Sequence, residues 1–176
     1  VMPSAYNGFY IDNDSTGQYF SFLTEEIYNL IEKTFNIKQT RENTFIAGLS
    51  MGGYGALKAA LTYPDKYSKA ASFSGVMDLD NMLRISNETR KKKLKNIFTE
   101  EIQDHDNLYK LAKKSLNKVP LYITCGTEDF LYKDNNKFHK YLKSINYEHI
   151  YLTSPGIHNW EYWDEQILKA LKWILK

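Results

Sequence analysis

The sequence predicts an α/β fold with a mostly parallel, doubly wound sheet, formed as one domain over residues 1–176. Short apolar runs typical of buried strands alternate with longer segments whose apolar residues recur at helical spacing. No internal repeat or low-complexity linker divides the chain. A compact chain of 176 residues buries roughly 70% of its unfolded surface, which is enough for a single core.

The first half of the chain supplies two strands and two helices. After an extended start, the apolar spacing predicts a helix over Gln18–Thr34. A strand over Thr44–Leu49 and a helix as far as Tyr63 follow, and Pro64 closes that helix. Lys69–Ser74 is predicted to be a short buried strand.

The second half continues the alternation. The region 75–118 is the least regular and has one predicted helix, Leu108–Leu116. The later elements are a strand at Val119–Thr124, a helix at Asn135–Ser144, a strand at Tyr147–Leu152 and a closing helix at Tyr162–Leu175. The buried face of the closing helix is expected to contain four residues at helical spacing, Trp163, Ile167, Leu171 and Ile174.

A possible nucleophile lies between the first predicted strand, Thr44–Leu49, and the helix that follows it, in Gly48-Leu49-Ser50-Met51-Gly52. This G-x-S-x-G pattern between a strand and a helix is a nucleophile elbow, in which the serine occupies a strained turn. The flanking residues crowd that turn, so we expect that only glycine at positions 48 and 52 leaves room. Ser50 is therefore the predicted nucleophile, and a loop serine in a chance match is the alternative.

A base and an acid are needed to activate that serine. Of the four histidines, His158 follows a turn after the last strand, where an open α/β sheet places its working residues. His158 is the predicted general base, whereas surface or structural positions are expected for His105, His139 and His149. Glu128 and Asp129 both follow the strand before it, and the residues alone do not separate these two acids.

Four segments resemble the esterase D family of α/β hydrolases, and most closely its tributyrin-esterase members. They are Met2–Tyr10, Ala47–Leu57, Gly126–Leu131 and Gly156–Trp163, which run in the family order. The resemblance implies an α/β-hydrolase fold with Ser50 as nucleophile, Asp129 as the triad acid and His158 as base. Its His-x-Trp-x-x-Trp ending is similar to the carboxylesterase and feruloyl-esterase branch, which disfavours an S-formylglutathione-type thioesterase.

The expected activity is hydrolysis of small-molecule esters with a short acyl chain or a phenolic group. Acyl transfer through a serine needs neither a metal nor an organic cofactor. Four residues next to the triad in sequence are candidates for the substrate pocket, Tyr54, Phe130, Leu131 and Trp160. Positions in the core explain these side chains equally well. An acyltransferase on the same triad and a non-catalytic fragment are the rival functions.

The chain departs from the family at its start. The family's first strands, and the loop that donates one oxyanion N–H, precede the position of Met2, so Met51 is the one expected oxyanion donor. The strand Thr44–Leu49 would then be an apolar sheet edge, which proteins rarely leave bare. We expect an N-terminal segment of roughly 70–90 residues, or a second copy in a homo-oligomer, to cover this edge.

Charge and hydropathy narrow the possible partners. The net charge of +2 predicts no attraction to nucleic acid or membranes, and the basic run Arg90–Lys95 is expected to be a solvated face. No run of about 18 apolar residues is present, so no membrane span is predicted. The single cysteine, Cys125, is expected to be a small core residue, and a cytoplasmic location is expected.

Overall fold

The computed structural model describes residues 1–98, 101–115 and 118–176. A two-stranded antiparallel sheet pairs β1 (Asp12–Asn13) with β2 (Gly17–Gln18). The main sheet has four parallel strands in the order β3 (Phe45–Leu49), β4 (Lys69–Phe73), β5 (Leu121–Gly126) and β6 (His149–Ser154). The predicted parallel α/β architecture is confirmed.

Helices connect these strands and cover both faces of the main sheet. The first is α1 (Tyr19–Ser21), which continues through a π-helical turn, Phe22–Glu26, into α2 (Ile27–Phe35). The others are α3 (Met51–Thr62), α4 (Leu79–Ile85), α5 (Glu88–Phe98), α6 (Leu108–Lys114), α7 (Tyr132–Ser144) and α8 (Trp160–Ile174). The predicted end of α6 at Leu116 lies outside the described residues.

The region 75–118 is more regular than the sequence predicts, because it contains α4 and α5 as well as α6. The side chain of Asp78 caps α4 by accepting a hydrogen bond from Asn81 N at 3.0 Å. Helix α5 carries the basic run and buries only Leu94, Ile97 and Phe98. So few apolar positions among charged ones give a weak periodic signal, which is why α5 was missed. Helix α4 is only seven residues long, which is too short for a clear periodic signal.

Two apolar clusters hold the layers together. The larger one joins α3 to the sheet, and residues 53–61 of α3 are all buried. The smaller one packs α8 against Ala71 and Tyr122. The buried residues of α8 are Tyr162, Trp163, Gln166, Ala170 and Ile174.

The predicted buried face of α8 is therefore wrong at Ile167 and Leu171, which are both exposed. Helical spacing permits two neighbouring stripes along α8, and the sheet contacts the stripe that contains Ala170. A small side chain at that position allows the helix to approach the strands closely. The prediction chose the stripe with Ile167 and Leu171 because their side chains are the larger and more apolar ones.

Strand β3 lies at the edge of the sheet and pairs with β4 alone among the described residues. Phe45 on this strand is partly exposed. That another segment or a second copy covers the edge stays a prediction. In the described part of the chain, no helix combines the length and the apolar character needed to cross a membrane.

Candidate active site

Ser50 lies in a strained turn between the end of β3 and the start of α3. Its backbone has φ 52° and ψ −118°, a region that residues other than glycine rarely adopt. The Ser50 N–H donates to Phe73 O on β4 at 2.9 Å. The turn is thus fixed to the neighbouring strand, and the serine lies at the carboxyl edge of the sheet.

The two glycines of the motif have different roles. A Cβ on Gly48 would lie 2.2 Å from the backbone oxygen of Gly52, so any side chain at position 48 would clash. A Cβ on Gly52 would meet no atom within 4 Å. The expectation that both positions need glycine for room is correct at Gly48 and wrong at Gly52.

The three side chains predicted to act together are in contact. Ser50 Oγ lies 2.9 Å from His158 Nε2, and His158 Nδ1 lies 2.8 Å from Asp129 Oδ2. These residues follow the carboxyl ends of β3, β5 and β6, which meet at one edge of a parallel sheet. A serine, an imidazole and a carboxylate in this order can perform nucleophilic acyl transfer.

Hydrogen bonds stabilise the ionised form of the Asp129 carboxylate. Burial by itself raises the pKa of Asp129, but hydrogen bonds from His158 and the Leu131 backbone outweigh it. The Ser74 hydroxyl acts in the same direction, and the net pKa of Asp129 lies below the ordinary value. Leu131 N donates to Asp129 Oδ1 at 2.8 Å, so both carboxylate oxygens have partners.

Glu128, the other candidate acid, stabilises the loop that carries His158. Its Oε2 accepts a hydrogen bond from Gly156 N at 2.5 Å, and its own N–H donates to Gly156 O at 3.1 Å. Hydrogen bonds from the Gly156 backbone and the Thr127 side chain lower the pKa of Glu128. The acid that contacts His158 is therefore Asp129 and not Glu128. The family resemblance implied this choice, which the residues alone did not decide.

Among the described residues, the remaining histidines and the cysteine form no hydrogen bond with Ser50. His139 and His149 contact each other, with His139 Nδ1 2.8 Å from His149 Nε2. His149 is the first residue of β6 and so lies at the amino ends of the strands, whereas the triad follows their carboxyl ends. The His105 side chain is largely exposed. Burial raises the pKa of the Cys125 thiol to about 12, so it is a core residue and no thiolate nucleophile.

The four candidates for the substrate pocket divide into two pairs. Tyr54 and Leu131 are both 0% exposed, and the Tyr54 hydroxyl donates to Asp106 O at 2.9 Å. A direct contact between substrate and these two side chains is not supported, because the core encloses them. Phe130 and Trp160 are 55% and 65% exposed, and the Phe130 ring centroid lies 4.7 Å from that of His158.

Three neighbours of the triad were missed by the sequence analysis. Ile157 is exposed beside His158, Ser74 follows β4, and the Trp163 ring packs edge-on against His158 at 4.9 Å. The His-x-Trp-x-x-Trp pattern contained Trp163, although it gave no indication of that contact. A serine after a strand has no distinctive sequence signal.

Met51 is the first residue of α3, so its backbone N–H is among those that lack an acceptor within the helix. Its place directly after Ser50 is that of an oxyanion-hole donor in an elbow of this type. Within residues 1–98, 101–115 and 118–176, no group of three or more His, Cys, Asp or Glu side chains could hold a metal ion.

Comparison with known proteins agrees with this geometry. A family model described as "Putative esterase" matches residues 6–174. An acetyl esterase of Caldicellulosiruptor saccharolyticus is 30% identical over an alignment of 188 positions, which covers 99% of this chain and 71% of that protein.

Two solved structures from Staphylococcus aureus are also similar. The fluorophosphonate-binding serine hydrolase FphF superimposes with a TM-score of 0.86 at 32% identity, over 96% of this chain and 68% of that one. The S-formylglutathione hydrolase FrmB superimposes with a TM-score of 0.80 at 33% identity, over 94% and 66%. These structures share the α/β-hydrolase architecture, and one is named a serine hydrolase and the other an S-formylglutathione hydrolase.

Proposed function

This chain belongs to the esterase family whose model it matches, and on that basis we propose that it is a serine carboxylesterase acting on short-chain acyl or phenolic esters. In this proposal Ser50 is the nucleophile, His158 the general base and Asp129 the acid that orients it. The observation that carries the proposal is the unbroken contact from Ser50 Oγ through the His158 ring to Asp129.

The hydrogen bonds assign the protons at the start of the reaction. Because a carboxylate only accepts hydrogen bonds, His158 Nδ1 carries the proton and donates it towards Asp129 Oδ2. In the neutral imidazole, Nε2 then carries no proton and can accept that of Ser50 Oγ, 2.9 Å away. The neutral tautomer that this geometry favours is thus the one that a general base requires.

Acylation and deacylation follow from this arrangement. Ser50 Oγ forms a bond to the ester carbonyl carbon while its proton moves to His158 Nε2. The bond to the alkoxy oxygen then breaks, and the alcohol leaves with that proton. Water repeats the attack on the acyl-enzyme and releases the acid, with the Met51 N–H stabilising the oxyanion in both steps.

The surroundings of His158 support a small ester. Phe130 offers exposed aromatic surface beside the imidazole, and the exposed Trp160 packs against Trp163, which itself contacts His158. Such aromatic surface suits a short acyl chain or a phenolic ring. The similarity to an acetyl esterase supports the smallest acyl groups.

A series of p-nitrophenyl esters tests the substrate class. We expect kcat/KM to be highest for acetate and butyrate and to fall by at least about tenfold for a long-chain ester, whose acyl group exceeds the apolar surface near His158. Equal or better turnover of the long-chain ester would reject the short-chain assignment. Ser50→Ala serves as the control for background hydrolysis.

A second candidate is an S-formylglutathione thioesterase, favoured by the 33% identity to FrmB. The same triad would attack a thioester, and the thiolate of glutathione would leave. Measuring kcat/KM for S-formylglutathione beside p-nitrophenyl acetate separates the two, because the carboxylesterase proposal requires the oxygen ester to be preferred. Transfer of the acetyl group to an added alcohol, in place of water, would indicate an acyltransferase.

A further inference from the structure

Two consecutive acidic residues follow β5, and the triad uses only one of them. Asp129 contacts His158, whereas the exposed side chain of Glu128 is hydrogen-bonded to the turn that precedes His158. Water competes for the hydrogen bonds of an exposed carboxylate, so such bonds add little to the stability of the whole fold. The contacts of Glu128 are therefore better explained by what they hold in place.

Glu128 and Gly156 are joined through the backbone and through the side chain. Glu128 N donates to Gly156 O at 3.1 Å, and Gly156 N donates to Glu128 Oε2 at 2.5 Å. The second bond has an ionised acceptor, which places it among the stronger hydrogen bonds in proteins. Together the two bonds close a ring between the loop after β5 and the turn after β6, which we call the 128–156 bridge.

Neighbouring contacts fix the direction of this bridge. Thr127 Oγ1 donates to Glu128 Oε1 at 2.7 Å, so both oxygens of the carboxylate are engaged. Thr127 N donates to Ser154 O at 3.0 Å, which extends the pairing of β5 with β6 into the loops. A Cβ on Gly126 would clash with Gly156 O, so the loops approach this closely only because residue 126 is glycine.

The bridge acts on the catalytic base because a single residue separates Gly156 from His158. On the other side of His158, the side chain of Asn159 accepts a hydrogen bond from Tyr162 N at 3.1 Å and caps α8. The turn that carries the imidazole is thus held at one end by Glu128 and at the other end by α8.

We infer that Glu128 is a positioning residue, which through Gly156 fixes the turn that places the His158 ring. This inference rests on the proposed function, because it assigns a role in the same triad. The ring has to lie within hydrogen-bonding distance of Ser50 and Asp129 at the same time. The two acids therefore have separate tasks, since Asp129 orients the imidazole and Glu128 orients the backbone from which it projects.

Removal of the Glu128 carboxylate tests this role. Glu128→Ala should lower kcat by about tenfold with KM nearly unchanged, because a misplaced base slows the chemical step and not the binding of substrate. Steady-state kinetics on p-nitrophenyl acetate measures both constants. Glu161→Ala is the matched control, since it removes an exposed carboxylate three residues after His158, in the first turn of α8. The control should keep the wild-type kcat.

Glu128→Gln separates the hydrogen-bond acceptor from the charge. The amide oxygen of glutamine can accept the bond from Gly156 N, and its NH2 group can donate to Thr127 Oγ1. Most of the wild-type kcat should therefore be retained in this variant. A loss of kcat as large as that in Glu128→Ala would contradict positioning through the bridge.

NMR reports on the bridge without any substrate. The Gly156 amide proton should exchange with solvent faster in Glu128→Ala than in wild type, because its acceptor is gone. The low-field signal of the proton on His158 Nδ1, which reports the hydrogen bond to Asp129, should move or broaden in the same variant. Both signals should stay unchanged in Glu161→Ala.

The outcomes separate this inference from a general structural role and from the proposed function. If kcat or the exchange of the Gly156 amide is unaffected in Glu128→Ala, the inference is wrong. A large loss of stability in chemical denaturation, accompanying the loss of kcat, would also contradict it. Ester hydrolysis that persists in Ser50→Ala would instead contradict the proposed function and leave the response of the Gly156 amide as expected.

Discussion

Two buried aspartates each contact a basic side chain, and only one of these pairs is arranged for chemistry. Asp129 and His158 lie 2.8 Å apart, with their side chains 0% and 19% exposed. Asp106 and Lys58 lie 2.5 Å apart, with side chains 5% and 2% exposed. Distance and burial hardly distinguish the pairs, so the difference must lie in what else each base contacts.

The Lys58 ammonium is enclosed by an acceptor and an aromatic ring in addition to Asp106. Besides Asp106 it donates to Tyr10 O at 2.9 Å, and it lies 4.0 Å from the centroid of the Phe20 ring. Burial lowers the pKa of Lys58, and the attraction of Asp106 opposes that shift. This closed pair ties the N-terminal segment and the turn before α6 to helix α3.

The His158 ring has one nitrogen on Asp129 and the other on Ser50. Its second nitrogen thus faces a group that can lose a proton, at an edge where Phe130 and Trp160 are exposed. A buried ion pair by itself indicates neither stability nor function. In this chain the reactive pair is the one whose base keeps a nitrogen for a nucleophile.

The largest expected effect is on catalysis, and it comes from Asp129→Asn. The amide keeps the shape of the side chain but no longer fixes the required His158 tautomer, so kcat should fall by about 10⁴-fold. Steady-state kinetics on p-nitrophenyl acetate, with active sites counted by titration, measures the loss. A fall of less than about tenfold would show that Asp129 does not orient the base.

The closed pair should respond to substitution through stability. Lys58→Met leaves the Asp106 charge buried without its partner and should lower the free energy of unfolding by about 3–5 kcal/mol. Chemical denaturation measures this loss. The folded fraction should keep the wild-type kcat, because Lys58 lies outside the contacts of the triad.

A second variant protects that test against a protein that fails to fold. Lys58→Met combined with Asp106→Leu removes both charges and should recover most of the lost stability. A double variant as unstable as the single one would contradict the view that the unpaired charge is the cause.

The smallest expected effect is the dependence of stability on pH. Because the pKa of Asp129 in the folded protein is lowered, its ionised form stabilises the fold above the ordinary value of about 3.9. That contribution is lost as the pH falls through the folded-state pKa. From about pH 5 to about pH 3, the free energy of unfolding should therefore fall more steeply in wild type than in Asp129→Asn. Parallel curves would contradict the lowered pKa.

Sequence patterns were sufficient where one signal determines the structure. The strand, turn and helix around Ser50 were predicted within one or two residues, because an apolar run, a glycine and a helix-forming run occur together there. His158 followed from its place after the last strand. The choice between Glu128 and Asp129 needed the resemblance, since neighbouring acids give the same pattern.

Other features depend on where a side chain points, and closeness in sequence does not determine that direction. Tyr54 lies four residues from Ser50, yet its helix turns it into the core. Ser74 and Trp163 are 89 residues apart in sequence and meet only because β4 and α8 pack together. Helix α5 was missed because its charged surface outweighs its three buried residues.

The nucleophile itself can be tested most directly by covalent labelling. A fluorophosphonate transfers its phosphonyl group to an activated serine, and intact-protein mass spectrometry counts the groups attached. One group should be attached in wild type, mapped to Ser50 by peptide analysis, and none in folded Ser50→Ala. An adduct that persists in Ser50→Ala, or that maps to another residue, would contradict the assignment of Ser50 as the nucleophile.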